Sequence, residues 1–196
     1  MRREYELVVT FLAYTGLRWG EMAALTVGRV DFLRRRVLVA ECVTPVKGVM
    51  TWGATKGHER REVPIPRFVV QAVAQHVAGR SADELLFIGS RGGVMRSQTL
   101  QRAALTRAAE QVGVCGFQPH ELRHTAASLA IASGAEVKVV QQMLGHKSAT
   151  MTLDLYGHLF DDRLDVVADA MDFARAAALA DVYPLFTGPE VVPMAF

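Results

Sequence analysis

With 196 residues, 51% of them apolar and 21% charged, the chain is long enough to bury one sizeable core, and this balance excludes a disordered, collagen-like or low-complexity protein. The net charge of +2 hides an asymmetry: residues 161–196 hold seven acids and two bases, which leaves residues 1–160 at +7 and suited to a polyanionic partner. No run reaches the roughly 18 uninterrupted apolar residues of a membrane-spanning helix, and the N-terminus lacks a signal-peptide core, so a cytoplasmic protein with no membrane partner is predicted.

In chain order, residues 2–15 place Tyr5, Val8, Val9, Leu12 and Ala13 at helical spacing, and Gly16 follows where a helix C-terminus takes a left-handed residue. A second helix is predicted from about Trp19 to Leu25. From about Val27 to Ile65 the β-branched stretches Val37-Leu38-Val39, Val43-Thr44, Val49 to Trp52 and Glu62 to Ile65 alternate with Pro, Gly and charged turns, which predicts a small sheet of about three strands. Helical periodicity returns over 66–78, 97–112, 119–133, 137–144, from about Thr150, and over 161–182, with Gly79, Gly113, Gly134 and Gly145 at or just past helix ends. The fold class is therefore mainly α with a small antiparallel β-sheet, an α+β chain. No repeat and no linker divides it; residues 183–196 form a tail that cannot continue a helix. Cys42 and Cys115 lack any metal-site spacing and read as reduced packing residues.

Several side chains carry potential chemistry. Arg18 and Glu21 are three apart, a spacing that lets a carboxylate orient a guanidinium. Lys56, in Thr55-Lys56-Gly57-His58, lies between strand-like runs and is predicted at a hairpin tip. In Pro119-His120-Glu121-Leu122-Arg123-His124-Thr125, proline opens a helix and His120 and Arg123 share a face near its positive end, a plausible anion site. Leu144-Gly145-His146 ends one helix, and Tyr156 follows ten residues after His146. Singly, each has an ordinary reading as a cap, core or surface residue.

Taken in order, the segments TGLRWGE, HELRHT and LGHKSATMTLDLYGH resemble the catalytic domain of the tyrosine recombinases, the phage-integrase family, from about Glu4 to Phe160. The resemblance implies a site-specific DNA recombinase that cleaves and rejoins strands through a 3′-phosphotyrosyl bond. It makes Tyr156 the nucleophile, Arg18 and Arg123 the cations on the non-bridging phosphate oxygens, and Lys56 the acid for the departing 5′ oxygen. His120 exchanges a proton with Tyr156, His146 hydrogen-bonds the phosphate, and Glu21 positions Arg18. No metal or other cofactor is implied. Saving the energy of the broken phosphodiester requires a protein oxygen as nucleophile, since water would release both ends. His124 is read as pointing away from the face shared by His120 and Arg123. His58, Arg60 and Arg61, beside Lys56, either track the DNA backbone or belong to a solvated hairpin.

By the same resemblance the expected partners are double-stranded DNA carrying specific recombination sites, further copies of the chain assembled as a tetramer on DNA through the C-terminal helix, and accessory excision or DNA-bending proteins. Residues 1–182 are expected to form the catalytic domain, with helix 161–182 docking in trans or folding back in cis, and the family's N-terminal core-binding domain is expected to be absent. Integration and excision of a phage or mobile element is the expected use. A Xer-like chromosome-resolving recombinase shares the chemistry, and a catalytically silent DNA-binding regulator shares the fold.

Overall fold

A computed structural model describes residues 3–55, 60–90, 92–114, 116–160 and 164–182. The chain divides into two compact units, Met1–Tyr156 and Gly157–Phe196.

In the first unit, helix α1 (Arg3–Thr15) buries Tyr5, Val8, Phe11 and Leu12, the stripe expected of an amphipathic helix that packs on one side only. Glu4 and Glu6 in its first turn face the positive end of the helix dipole. The helix stops at Gly16, whose φ of +64° suits glycine; an added Cβ would also lie 2.8 Å from the Leu144 side chain. After the short helix α2 (Trp19–Ala23) the chain enters the β region.

That region holds two sheets rather than one. Strands β1 (Val30–Asp31), β2 (Arg36–Val39) and β5 (Arg61–Pro64) form an antiparallel sheet in the order β1-β2-β5, with Val37 opposite Val63. Val37, Val39 and Val63 alternate onto its buried face. Strands β3 (Glu41–Val46) and β4 (Val49–Ala54) form a separate two-stranded ribbon closed by Lys47 and Gly48, both at positive φ, as a tight hairpin turn requires. The ribbon packs on α2 at Gly20, where a Cβ would meet the Val43 carbonyl oxygen at 2.6 Å.

The expectation of a single small sheet is thereby corrected, while Lys56, expected at a hairpin tip, lies outside the described residues. The chain between β4 and β5 joins two different sheets, because β4 pairs with β3 and β5 with β2. Pairing partners are set by tertiary packing, which strand-like composition does not encode.

The remaining helices follow their periodicity closely: α3 (Arg67–His76), α4 (Ser97–Leu100) running through a π-helical turn into α5 (Thr106–Gln111), α6 (Glu121–Ala132), α7 (Val137–Leu144) and α8 (Ala149–Tyr156). Helix α1 packs against α6 and α3, and Phe11 meets Phe87 edge-on at 5.3 Å between ring centroids. Helix α7 packs against α6, α8 and β5. These contacts bring the turn after α1, the start of β5, helix α6, the end of α7 and the end of α8 to one place.

In the second unit, a single 3-10 turn (Gly157–Leu159) precedes α9 (Leu164–Val182), whose side chains from Leu164 to Leu179 are all exposed. Among the described residues no helix is long and apolar enough to cross a membrane. The observed class, mainly helical with small antiparallel sheets, agrees with the one predicted.

Candidate active site

Arg18 stands at the N-terminus of α2 in extended backbone, which aims its N–H back at the helix it begins. Glu21, one turn on, has a side chain only 2% exposed, and its carboxylate is surrounded. Its Oε1 accepts from Arg18 Nη1 at 3.1 Å and from Arg61 Nη1 at 3.0 Å. Its Oε2 accepts from the Arg18 backbone N–H at 2.9 Å and from Arg61 Nη2 at 2.7 Å. Burial works to raise the carboxyl pKa, but the hydrogen bonds and charge of Arg61, joined by Arg18, outweigh it and hold Glu21 below its ordinary value. Glu21 is therefore ionised at neutral pH.

Arg61 corrects the sequence reading. It was expected along a DNA backbone or in a solvated hairpin; instead its guanidinium grips Glu21 bidentately, while its Nε donates to the Met143 carbonyl at 3.2 Å. Three of its five N–H donors are thus engaged within the protein, and both Nη atoms sit on the Glu21 carboxylate. Neighbouring Arg60 is exposed and lines a cleft of about 400 Å³ together with Thr55, Arg61, Gly145 and His146. Lys56 and His58 lie outside the described residues.

Gly145 explains how Arg61 can sit so close to the end of α7. It caps that helix in the left-handed conformation, at φ +64°, and a Cβ there would fall 3.0 Å from the Arg61 guanidinium. Gly145→Ala is expected to lower stability by about 1–3 kcal/mol, the strain of a left-handed non-glycine residue plus displacement of Arg61, measured by denaturant unfolding.

Arg123, on the buried side of α6 and 4% exposed, donates from Nη1 to the Gly16 carbonyl at 2.6 Å and from Nη2 to the Leu144 carbonyl at 2.5 Å. One side chain thus ties the turn after α1 to the end of α7. Burial, with the charges of Arg18 and Arg61 nearby, lowers its pKa to about 10, so it still carries its charge at neutral pH. Two backbone dipoles are a weak counterweight for a buried cation; an anion placed beside Arg18 and Arg123 would complete the site.

His146 is 8% exposed, with Nδ1 at 3.0 Å from the Thr152 hydroxyl, and its carbonyl accepts from the Gln141 amide at 2.7 Å. Burial, then the positive charges of Arg123, Arg18 and Arg61, lower its pKa to about 4. The ring is neutral near pH 7. Thr152 and Tyr156 are four apart on α8, so the helix presents both to the same interior.

Tyr156 is 4% exposed, and burial raises the pKa of its phenol although the Arg123 charge pulls the other way. Its hydroxyl lies 2.8 Å from Nδ1 of His124. His124, expected to point away, follows His120 by four residues, a separation that puts both on one helix face; their rings meet edge-on at 5.5 Å between centroids. His120, expected to exchange a proton with Tyr156, stands one ring farther along that face at the N-terminus of α6. Burial, followed by the charges of His124, Arg123 and Arg18, lowers its pKa.

Arg18, Glu21, His120, Arg123, His146 and Tyr156 are thus gathered around one positive locus. Two supporting side chains, Thr152 and Gln141, escape the sequence reading, as does the Gly16 carbonyl's bond to Arg123. The i, i+4 spacing of Thr152 and Tyr156 is the one signal that could have found any of them. Among the described residues no three His, Cys, Asp or Glu side chains group as metal ligands.

Comparison with known proteins gives a consistent picture. The family model described as Phage integrase family matches residues 2–163. Tyrosine recombinase XerC of Corynebacterium efficiens is 31% identical over 166 residues, covering 83% of this chain and 48% of the relative. Tyrosine recombinase XerD of Mycobacterium leprae is 34% identical over 157 residues, covering 74% of this chain and 45% of the relative. Among solved structures, the Tn1549 transposon integrase in complex with transposon right end DNA superposes with a TM-score of 0.70 at 23% identity, over 88% of this chain and 59% of that one. That likeness is one of fold. The chain spans about half the length of the curated relatives it matches.

Proposed function

Since the chain belongs to the phage integrase family, we propose that it is the catalytic part of a site-specific DNA recombinase, acting on double-stranded DNA in the cytoplasm. The observation that carries this reading is the convergence of Arg18, Arg123, neutral His146 and the Tyr156 hydroxyl, from four separate stretches of chain, on one buried cationic locus.

A scissile phosphate placed against Arg18 and Arg123 has its non-bridging oxygens met by fixed charges where the pentacoordinate transition state accumulates negative charge. His146 hydrogen-bonds the same group. Neutral His146 can donate from Nε2–H if Nδ1 accepts from the Thr152 hydroxyl, which is the role the 3.0 Å contact allows Thr152 to play. Tyr156 Oη attacks phosphorus, the P–O5′ bond breaks, and Lys56 protonates the departing oxygen. Attack by a 5′-hydroxyl from another duplex reverses these steps and reseals the strand. No step uses water or an external energy source.

Arg123→Lys is expected to slow covalent adduct formation by about 10²–10³-fold. Lysine cannot span two carbonyls and present a planar fork, so both the turn after α1 and the phosphate lose their partner. Rates from single-turnover cleavage check this.

Integration and excision of a phage or mobile element is the use we propose. The XerC and XerD relatives favour a second reading, chromosome resolution by the same chemistry. The exposed apolar residues of α9, Leu164, Val167 and Met171 among them, suit docking on a second copy during assembly on DNA. Deleting residues 161–196 is expected to leave a folded first unit that binds DNA but no longer assembles on it, as read by analytical ultracentrifugation of the complex.

The deciding experiment uses a nicked suicide duplex built on a site selected from random-sequence DNA. A covalent protein–DNA adduct, mapped to Tyr156 by mass spectrometry and attached to a 3′ end, establishes the reaction class. DNA binding without an adduct supports the silent regulator instead.

A further inference from the structure

The phenol of Tyr156 must lose its proton as it attacks, and burial makes that harder. Something at hydrogen-bonding distance has to take it. Among the described residues the hydroxyl's hydrogen-bond partner is His124, at 2.8 Å, with the two ring centroids 5.7 Å apart. The other groups nearby are unsuited. Arg123 has no lone pair to offer and its Nη atoms are engaged with Gly16 and Leu144. His146 has its Nδ1 on Thr152. His120 touches the edge of the His124 ring rather than the hydroxyl.

We propose that His124 is the base that receives the Tyr156 proton, with His120 stationed beside it on the solvent side; the assignment rests on Tyr156 being the nucleophile. His124 carries its own proton on Nε2 and accepts at Nδ1. As the Tyr156 Oη–P bond forms, the Oη–H bond breaks and the proton moves to His124 Nδ1; the P–O5′ bond breaks and O5′ takes its proton from the acid on the leaving-group side. Resealing returns the proton from His124 to Tyr156. His124 is exposed, so between these steps it exchanges with water. The groups that face it are Tyr156 from α8, His120 one turn earlier on α6, and His146 at the end of α7, which feels its charge.

This division of labour gives the two histidines of HELRHT different tasks. His120 sits at the helix N-terminus, within electrostatic reach of Arg18 and Arg123, and therefore beside the phosphate locus. His124 sits one turn farther in, against the nucleophile.

The test compares His124→Ala, His124→Gln and Tyr156→Phe with the unaltered 196-residue chain on the nicked duplex described above, following the rate of adduct formation. His124→Ala is expected to be slower by about a hundredfold or more, the usual effect of losing a general base, and added imidazole is expected to restore part of the rate. His124→Gln keeps a hydrogen-bond acceptor without basicity and is expected to stay slow. With sulfur replacing the bridging 5′ oxygen, the leaving group departs without a proton, and the His124→Ala defect is expected to persist. Each variant loses or weakens the hydrogen bond between Tyr156 and His124, so a drop of a few degrees in melting temperature is expected, too small to unfold the chain at the assay temperature.

A wild-type rate in either His124 variant, or no response to imidazole, overturns the assignment. So does recovery of His124→Ala on the sulfur-containing duplex, which places the residue on the leaving-group side. If the unaltered chain forms no adduct, or Tyr156→Phe still forms one, the nucleophile reading itself has failed, an outcome separate from a fault in His124.

Discussion

Tyr156→Phe is expected to abolish covalent adduct formation completely while leaving the first unit folded, and the two halves of that expectation come from the same geometry. The ring is buried and phenylalanine fills its volume, so packing is retained. The hydroxyl's partner, His124, is exposed and can turn its freed Nδ1 to water. Losing such a hydrogen bond costs about 1 kcal/mol, because no buried donor or acceptor is orphaned. For a protein of this size that lowers the melting temperature by about 2–4 °C. Activity has no such cushion, since the removed atom is the one that bonds to phosphorus. A gel assay for the adduct and a melting curve on the same preparation check both parts. An adduct surviving in the variant would assign the nucleophile to another residue.

What could be read in the sequence was local. Helix α7 spans Val137–Leu144 as predicted, because its apolar spacing and Gly145 mark its face and its end within a few residues of each other. The pair Arg18 and Glu21, the sequence His120-x-x-Arg123 and the segment Leu144-Gly145-His146 each lie within one helical turn or cap, so their relative placement follows from helix geometry. Arg61 was misplaced because its partner Glu21 is 40 positions away, and nothing near Arg61 in sequence announces a buried carboxylate. The same holds for the split of five strands into a sheet and a ribbon, where each strand's character is local but its partner is not. His124 is a different kind of miss. The four-residue step from His120 was visible, and applying it consistently places the ring on the face that meets α8.

These long-range ties give Glu21 its importance, and Glu21→Ala is expected to be the most destabilising single change at the site. Its carboxylate accepts four hydrogen bonds, two from Arg61 and two from Arg18. The side chain of Arg61 is only 12% exposed, so removing the carboxylate strands a guanidinium that water reaches poorly. Breaking one side of such a buried pair costs about 3–5 kcal/mol, which shifts the melting temperature by roughly 10 °C. Glu21→Gln is expected to lie nearer to alanine than to the parent, because its amide presents a donor to guanidinium donors.

The effect must also depend on pH. The folded-state pKa of Glu21 is held below its ordinary 4.5, so its stabilisation is complete above that value and fades as the pH falls below it. His146 adds an acid-sensitive contribution of its own: its pKa, lowered from 6.5 to about 4, means that the unfolded chain takes up a proton which the folded one refuses, and stability falls between those values. His146 is present in both proteins, so its contribution is shared, and the difference between parent and Glu21→Ala isolates the carboxylate. That difference is expected to be constant from pH 7 to about pH 5 and to shrink on further acidification. Urea unfolding across this range measures it. A gap that stays unchanged to the lowest pH would show that the loss comes from a cavity and not from the charge that Arg18 and Arg61 share.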